Sequence, residues 1–456
     1  MRRHPPGPPG HWLWGNIAEV RSNVLRLLDS VPLQCGDLAT LRFLGQRVLL
    51  LSHPRWFEQV LSTDNQKFEK SPRFRRLVSS VFGNGVFGAQ GRDWQRQRRI
   101  LQSALNGIRL DRHCDTVVAT ASMICDGWMS EKTASLEATM MELALAIRLR
   151  TTLGTTNPDV FDDIYRALRT FMDYFASSIR NPLSWPLWVP SESNRRIQKT
   201  MKRWWEVISE QIEAGRESAD PNTLLFLLLS QELSVTYPLR DELATWLLTG
   251  TETSANTLSW TWYLLATHDE VRERLRQEVD AALQGRPPKV SDLPKLRYLN
   301  AVLKESMRLF PQAYIIGRKS TESFSMDGYS FSKGTTVLLN QWFVCRDEQW
   351  HADAREFHPE RWLTVDHQSA IAFTPFGGGP RQCVGGQLAK CELPLILALL
   401  AQKFDFGLAD WSWETQVRPE VSLTLRPDPR LRILLSRRGV VATKTTDEDI
   451  ERNSHP

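Results

Sequence analysis

The sequence predicts a mainly helical α+β fold with small β-sheets. Helical periodicity dominates from about residue 54 to about residue 310, and strand-like alternation is confined to short stretches near 36–52, 324–340 and 420–435. No flexible linker long enough to separate domains interrupts the chain. Residues 1–438 therefore read as one unit, and the polar residues 439–456 as a frayed tail.

Each element follows from its residues. Pro5 to Pro9 exclude helix and central strand, which makes 1–15 a stiff opening segment. GDLATLRFLGQRVLLLSHP alternates and carries β-formers, predicting a hairpin over 36–52. RWFEQVLS, DWQRQRRILQSALN, PDVFDDIYRALRTFMDYFASSI and MKRWWEVISEQIEAG space their apolar residues as helices do. NPLSWPLWVPSESNRR, residues 181–196, breaks that pattern with three prolines and reads as a flap with exposed tryptophans. The longest helical pattern, LRDELATWLLTGTETSANTLSWTWYLLAT over 239–267, is apolar on several faces, as a helix buried through the middle of a fold would be.

Composition excludes several classes. The 456 residues are 41% hydrophobic and 24% charged, an ordinary globular balance, and the 17 tryptophans suggest a large apolar interior or pocket. A formal charge of +5 permits an acidic protein partner or an anionic membrane but is too small to indicate nucleic acid. Cys35, Cys114, Cys125, Cys345, Cys383 and Cys391 lack paired spacing, so neither a disulfide framework nor a structural zinc site is expected, and a reducing compartment is. No apolar run reaches the roughly 18 residues of a transmembrane span, and MRRHPPGPPGHWLWGN lacks the apolar centre of a signal peptide. The expected location is the cytoplasm, with peripheral contact at a membrane surface left open.

Five stretches carry candidate chemistry. GNGVFG, Gly83 to Gly88, fits G-x-G-x-x-G but has no clean strand before it, so it reads as a plain glycine loop. DWQRQRRI reads as a solvated basic face, a nucleic-acid patch, or an anion grip in which Trp94 and Arg98 share a face. TGTETS, Thr249 to Ser254, puts Gly250 and hydroxyl residues inside a helix, which predicts a local opening. Glu252 and Thr253 there form either a proton relay or a pair of capping-type residues. KESMR sets Glu305 and Arg308 at i,i+3, which reads either as an ordinary surface pair or, with Arg361 and Glu360 of FHPERW, as part of a network. Last, FTPFGGGPRQCVGGQLAK places three consecutive glycines, an arginine and one cysteine directly ahead of a long apolar helix. A structural cysteine needs none of those neighbours; the pattern suits a bulky group lying flat against the backbone.

The run Phe376-x-x-Gly379-x-x-x-Cys383-x-Gly385 resembles the haem-thiolate signature of the cytochrome P450 family. Gly250-x-Glu252-Thr253-Ser254, Glu305-x-x-Arg308, Pro359-Glu360-Arg361 and Trp94-x-x-x-Arg98 fall in that family's order, so the resemblance extends over practically the whole chain. It implies the P450 fold, with haem b between the long central helix and the cysteine-loop helix. It makes Cys383 the axial thiolate and metal ligand, with Phe376 covering the sulfur. Gly377, Gly379 and Gly385 would let the porphyrin approach the backbone, and amides of the following helix would favour the anionic sulfur. Trp94, Arg98, Arg318 and Arg381 match partners of the haem propionates. Glu305, Arg308 and Arg361 match a structural triad.

On the other face, the resemblance makes Gly250 to Thr253 an oxygen groove, with Thr253 donating to dioxygen and Glu252 feeding protons. Two departures stand out: Thr249 where the family usually has Ala or Gly, which narrows the groove, and Cys345 where a histidine is common. The implied activity is monooxygenation of a lipophilic molecule such as a terpenoid or fatty acid, by a monomer. Electrons would come from a separate ferredoxin or flavodoxin with its reductase. Substrate walls are expected from 73–90, 165–205, Leu247 to Thr253 and 312–317. Two alternatives stay open: a P450-type peroxygenase or isomerase, whose members typically lack the acid–alcohol pair, and a non-enzymatic haem sensor.

Overall fold

The computed structural model describes residues 4–128, 132–181, 187–231, 237–364, 372–409 and 417–438. The tail 439–456 and part of the expected flap, Pro182 to Pro186, lie outside them. The helices are α1 (Ile17–Cys35), α2 (Pro54–Glu58), α3 (Pro72–Phe82), α4 (Gly91–Asn106), α5 (Leu110–Asp126), α6 (Leu136–Leu153), α7 (Pro158–Arg180), α8 (Glu192–Ser218), α9 (Leu224–Leu229), α10 (Leu239–Thr267), α11 (Asp269–Leu283), α12 (Arg297–Leu309), α13 (Gln341–Val344) and α14 (Gly386–Lys403). The strands are β1 (Leu38–Phe43), β2 (Gln46–Leu51), β3 (Phe68–Glu69), β4 (Lys132–Ser135), β5 (Ile316–Ser320), β6 (Phe324–Met326), β7 (Tyr329–Phe331), β8 (Thr336–Leu339), β9 (Phe404–Leu408), β10 (Glu420–Val421), β11 (Leu425–Arg426) and β12 (Arg432–Arg437).

Local chemistry sets many of these boundaries. Ser71, Ser135, Asn157 and Ser191 each accept a first-turn amide of the helix they precede, and Pro72 and Pro158 occupy first-turn positions where no N–H is needed. Gly154 ends α6 in the left-handed region. The expected hairpin forms as β1 and β2, with Leu38 opposite Leu51 and Phe43 opposite Gln46. It extends into a five-stranded sheet of order β1-β2-β8-β5-β3, in which β2 and β8 run parallel. Helix α1 was not expected, because Pro32 and a kink at Asn23 interrupt its periodicity.

Helix α10 is buried along most of its length and packs against α6, α12 and α14. Trp260 stacks on Phe310 at 3.8 Å and Trp262 on Phe406 at 3.9 Å. The predicted opening at Thr249 to Ser254 does not occur. Thr249, Thr253, Thr257 and Thr261 each donate their hydroxyl to the carbonyl four residues earlier, at 2.7–2.8 Å. The hydroxyls are satisfied within the helix instead of competing with it, so it continues unbroken. Among the described residues no helix is long and apolar enough to cross a membrane.

Candidate active site

The cysteine loop runs from Phe376 to Gly385, and the Cys383 N–H donates to the Phe376 carbonyl at 2.9 Å to close it. Gly377 and Gly379 adopt left-handed backbone, φ +71° and +65°. The glycines also make room for protein. A Cβ at Gly379 would lie 1.7 Å from the Leu61 carbonyl oxygen, and one at Gly385 would lie 3.2 Å from the Trp246 ring of α10, while Gly377 has open space beside it. Gly379→Ala is expected to destabilise the protein by more than the ~1–3 kcal/mol of the strained backbone alone; a urea midpoint equal to the parent's would contradict this.

Cys383 is the exposed cysteine among the six, all of them free. Burial raises its thiol, while the Gly385 amide, Arg98 and Arg148 oppose that rise. The Gly385 amide at the start of α14 thus favours the ionised form, as expected, but does not overcome desolvation. A metal cation at the sulfur is the kind of charge that would.

Trp94 and Arg98 on α4 both meet this loop. The Arg381 guanidinium lies 4.1 Å from the Trp94 ring centroid, and Arg98 Nη1 donates to the Gln382 carbonyl at 2.6 Å. Arg318, on β5, is 8% exposed and donates to its neighbour's carbonyl, Gly317 O. Arg381 donates to Ala89 O and to Gln90 Oε1. Lys70 was not anticipated. It continues β3, whose register pairs Phe68 with Ser320 and Glu69 with Lys319, so Lys70 comes next in line with Arg318. Its Nζ donates to Phe87 O at 2.5 Å. Only the long-range strand register reveals it.

These contacts test whether a haem fits. Lys70, Arg318 and Arg381 hold neutral acceptors, and none forms an ion pair within 4 Å among the described residues. Burial, with repulsion from Arg381, lowers Arg318 to about 10; burial lowers Arg381 to about 10 and Lys70 well below its usual value. A cation cluster with uncharged partners, Arg318 buried and Lys70 and Arg381 half-buried, suits a group carrying carboxylates, as the haem propionates do. The residues fit the group.

Glu305, Arg308 and Arg361 converge as expected. Arg308 donates to both Glu305 oxygens, at 2.9 and 2.7 Å, and Arg361 Nε to Oε1 at 3.0 Å. Trp362 Nε1 and the His358 amide complete the carboxylate's shell. Burial would raise Glu305, but the two arginines and Trp362 overcome it and hold the carboxyl below its usual value. Arg308 also donates to the carbonyls of Cys345, Ala354 and Glu356. Cys345 thus meets the triad through its backbone, and its thiol lies 3.8 Å from Ala372 O.

The far wall is α10. Within its buried middle, Thr249, Gly250 and Thr253 retain accessible surface, one turn beyond the Trp246 contact with Gly385. Glu252 and Thr253 are not brought together. Their side chains leave the helix about 100° apart; Thr253 donates to Thr249 O, while Glu252 Oε1 accepts from Thr424 Oγ1 at 2.6 Å. Burial raises Glu252 to about 7, against Thr424 and Arg426.

Gly250 has a neighbour the sequence did not suggest: a Cβ there would lie 2.8 Å from Arg148 Nε. Arg148 and His113 both bind Glu392, at 3.0 and 2.6 Å. Burial would raise Glu392, but these two partners lower it to about 2. No local signal marks this trio, whose members lie on α5, α6 and α14.

The family model of cytochrome P450 matches residues 5–433. Cyclooctat-9-en-7-ol 5-monooxygenase of Streptomyces melanosporofaciens is 30% identical over 86% of this chain and 87% of its own. Pentalenene oxygenase of Streptomyces avermitilis is 29% identical over 93% of this chain and 95% of its own. Cyclooctatin synthase of Streptomyces melanosporofaciens is 27% identical over 93% and 94%. With a family match over almost its full length and a monooxygenase relative at this identity, the chain belongs to the cytochrome P450 family of haem-thiolate monooxygenases.

Proposed function

We propose that the protein inserts one atom of dioxygen into a lipophilic molecule of the terpenoid class, at a haem b ligated by Cys383. The observation that carries this reading is an exposed cysteine in a glycine-turned loop, packed through Gly385 against α10 just before the turn where Thr249 and Thr253 keep accessible surface. Bound haem would supply dioxygen activation, with an electron-rich sulfur that promotes O–O cleavage.

The chain's own residues do the rest. Arg98, Arg318, Arg381 and Lys70 would hold the carboxylates of bound haem, and Trp94, under the Arg381 guanidinium, would help orient it. The triad anchors the loop in register. Thr253 presents a hydroxyl to the groove, and Glu252, near half-protonated at neutral pH, recharges it once its carboxyl leaves Thr424. Thr249 narrows the groove beside it.

Phe74 and Phe87, with centroids 5.6 Å apart and both half-buried, form an aromatic wall suited to a rigid hydrocarbon, backed by the fully buried Phe82 and Phe175. Relatives named for pentalenene and cyclooctat-9-en-7-ol support that substrate class. Outside the loop, an open cavity of ≈ 650 Å³ lined by Arg98, Arg99, Gln382 and Pro380 suits an acidic electron donor, ferredoxin or flavodoxin.

Haem-loaded protein with a ferredoxin and its reductase is expected to convert lipophiles to products heavier by one oxygen, only when reductant is present. Turnover with peroxide and none with reductant would overturn the reading. Thr253→Ala is expected to divert most reducing equivalents to hydrogen peroxide, measured as peroxide formed per NAD(P)H consumed. Unchanged coupling would remove Thr253 from the relay.

A further inference from the structure

The glycine loop 83–88 is gripped from two sides. On one side stand the first residues of α10. The Asn84 N–H donates to Asp241 Oδ2 at 2.7 Å and the Val86 N–H to Glu242 Oε1 at 2.9 Å. The glycines permit this approach: a Cβ at Gly83 would lie 2.3 Å from Asp241 Cγ, and one at Gly85 2.3 Å from Thr245 Oγ1. Gln97 of α4 adds a bond to Asn84 O at 2.9 Å. On the other side, Lys70, Arg75 and Arg381 take the consecutive carbonyls of Phe87, Gly88 and Ala89. Phe87 lies between the two grips. Its ring meets Phe74 and Phe82 edge-on at 5.6 and 5.5 Å, with the Lys70 ammonium 4.0 Å from its centroid.

We infer that Asp241 and Glu242 are positioning residues that set Phe87 in the substrate wall, and that Glu242 makes this hold pH-dependent, firm when its carboxyl is protonated and weaker when it ionises. The latch stands on the loop geometry alone; its bearing on substrate rests on the function proposed above.

Among the described residues, no cation lies within ion-pair distance of Glu242. It is 1% exposed, and among the same residues neither its second oxygen nor the hydroxyl of Tyr237, just before α10, has a hydrogen-bond partner. On α10 itself Asp241 is acidic and Arg240 turns to Asp241 at 3.5 Å. From α4, Arg96 faces Tyr237, and the loop contributes only the Val86 amide. Burial raises Glu242 to about 8, the Val86 amide opposing and Asp241 adding to the rise. Once the loop opens, water restores the carboxyl toward its ordinary 4.5.

The sign follows from proton binding. Between those two values the closed loop holds a proton that the open loop does not. Closure is therefore firmest below about pH 4.5, weakens up to about pH 8 and is level above, with a limiting slope of about tenfold per pH unit. Asp241 accepts Asn84 throughout and keeps the loop tethered after Glu242 ionises.

Hydrogen exchange of the full-length, haem-loaded protein between pH 5.5 and 8.5, corrected for intrinsic rates, tests the latch. Protection of the Asn84–Gly88 amides is expected to fall at least tenfold across that range in the parent. In E242Q, whose neutral carbonyl still accepts from Val86, it should stay flat. Flat protection in the parent, or an equal fall in both proteins, would overturn the latch. A second arm measures the ratio of dissociation constants for imidazole and clotrimazole by the shift in the haem spectrum. The ratio should change with pH in the parent and not in E242Q. A latch that titrates while this ratio stays constant in the parent would overturn the role of Phe87 in selectivity, leaving the haem assignment untouched.

Discussion

Replacing Cys383 with serine is expected to leave the chain folded and to remove oxygenation. Folding survives because the loop is closed by backbone, Cys383 N–H to Phe376 O, and because serine is close in size to the solvent-accessible side chain it replaces. Activity does not survive, because a hydroxyl is a far weaker ligand and donor than a thiolate. The loss should exceed the ~100-fold that residues merely supporting a metal ligand typically cost. Turnover of a converted lipophile, with circular dichroism as the folding control, checks this. Cys391→Ser is the matched comparison: Cys391 is half-buried on α14, and its substitution should leave turnover unchanged. Equal activity of the Cys383 and Cys391 variants would sink the assignment.

Arg308→Ala is expected to have the largest effect on stability. The side chain is fully buried, at 0% exposure, and holds together Glu305 and three backbone carbonyls from the segment 345–356. Truncation removes one of the two arginines from the Glu305 carboxylate, leaving Arg361 with the neutral donors Trp362 and the His358 amide, and takes the donor from those carbonyls. Breaking one partner of a buried pair costs roughly 3–5 kcal/mol. Lysine should not rescue it, since one ammonium cannot replace five planar donors spread over four acceptors. Urea unfolding of the haem-loaded protein reads the change; a loss below about 1 kcal/mol would reduce this cluster to an ordinary surface pair.

The triad shows how far sequence reasoning reached. Glu305 and Arg308 sit one helical turn apart, so their pairing follows from spacing; Arg361 was a candidate member from FHPERW, and the resemblance made it part of a triad. Helix α10 was legible to its boundaries, because a long pattern apolar on several faces has few other interpretations. Its interior was misjudged. Propensity assigned Gly250 and the threonines to an opening, whereas back-bonded hydroxyls keep the helix whole and Gly250 makes room for Arg148. Glu252 and Thr253 are neighbours in sequence and diverge in space, a consequence of the helical angle between successive residues. The residues missed altogether, Lys70, Arg148, Glu392 and the Asp241–Glu242 pair, act through contacts between segments far apart in the chain. No window of sequence contains such contacts.

The central claim is sulfur ligation of haem iron by Cys383. The most direct test is the absorption spectrum of the haem-loaded protein reduced with dithionite under carbon monoxide. The account predicts the strongly red-shifted Soret band of a thiolate-ligated carbonyl complex, lost in Cys383→Ser. A band at the shorter wavelength of an imidazole-ligated complex, or a red-shifted band that persists in Cys383→Ser, would contradict it.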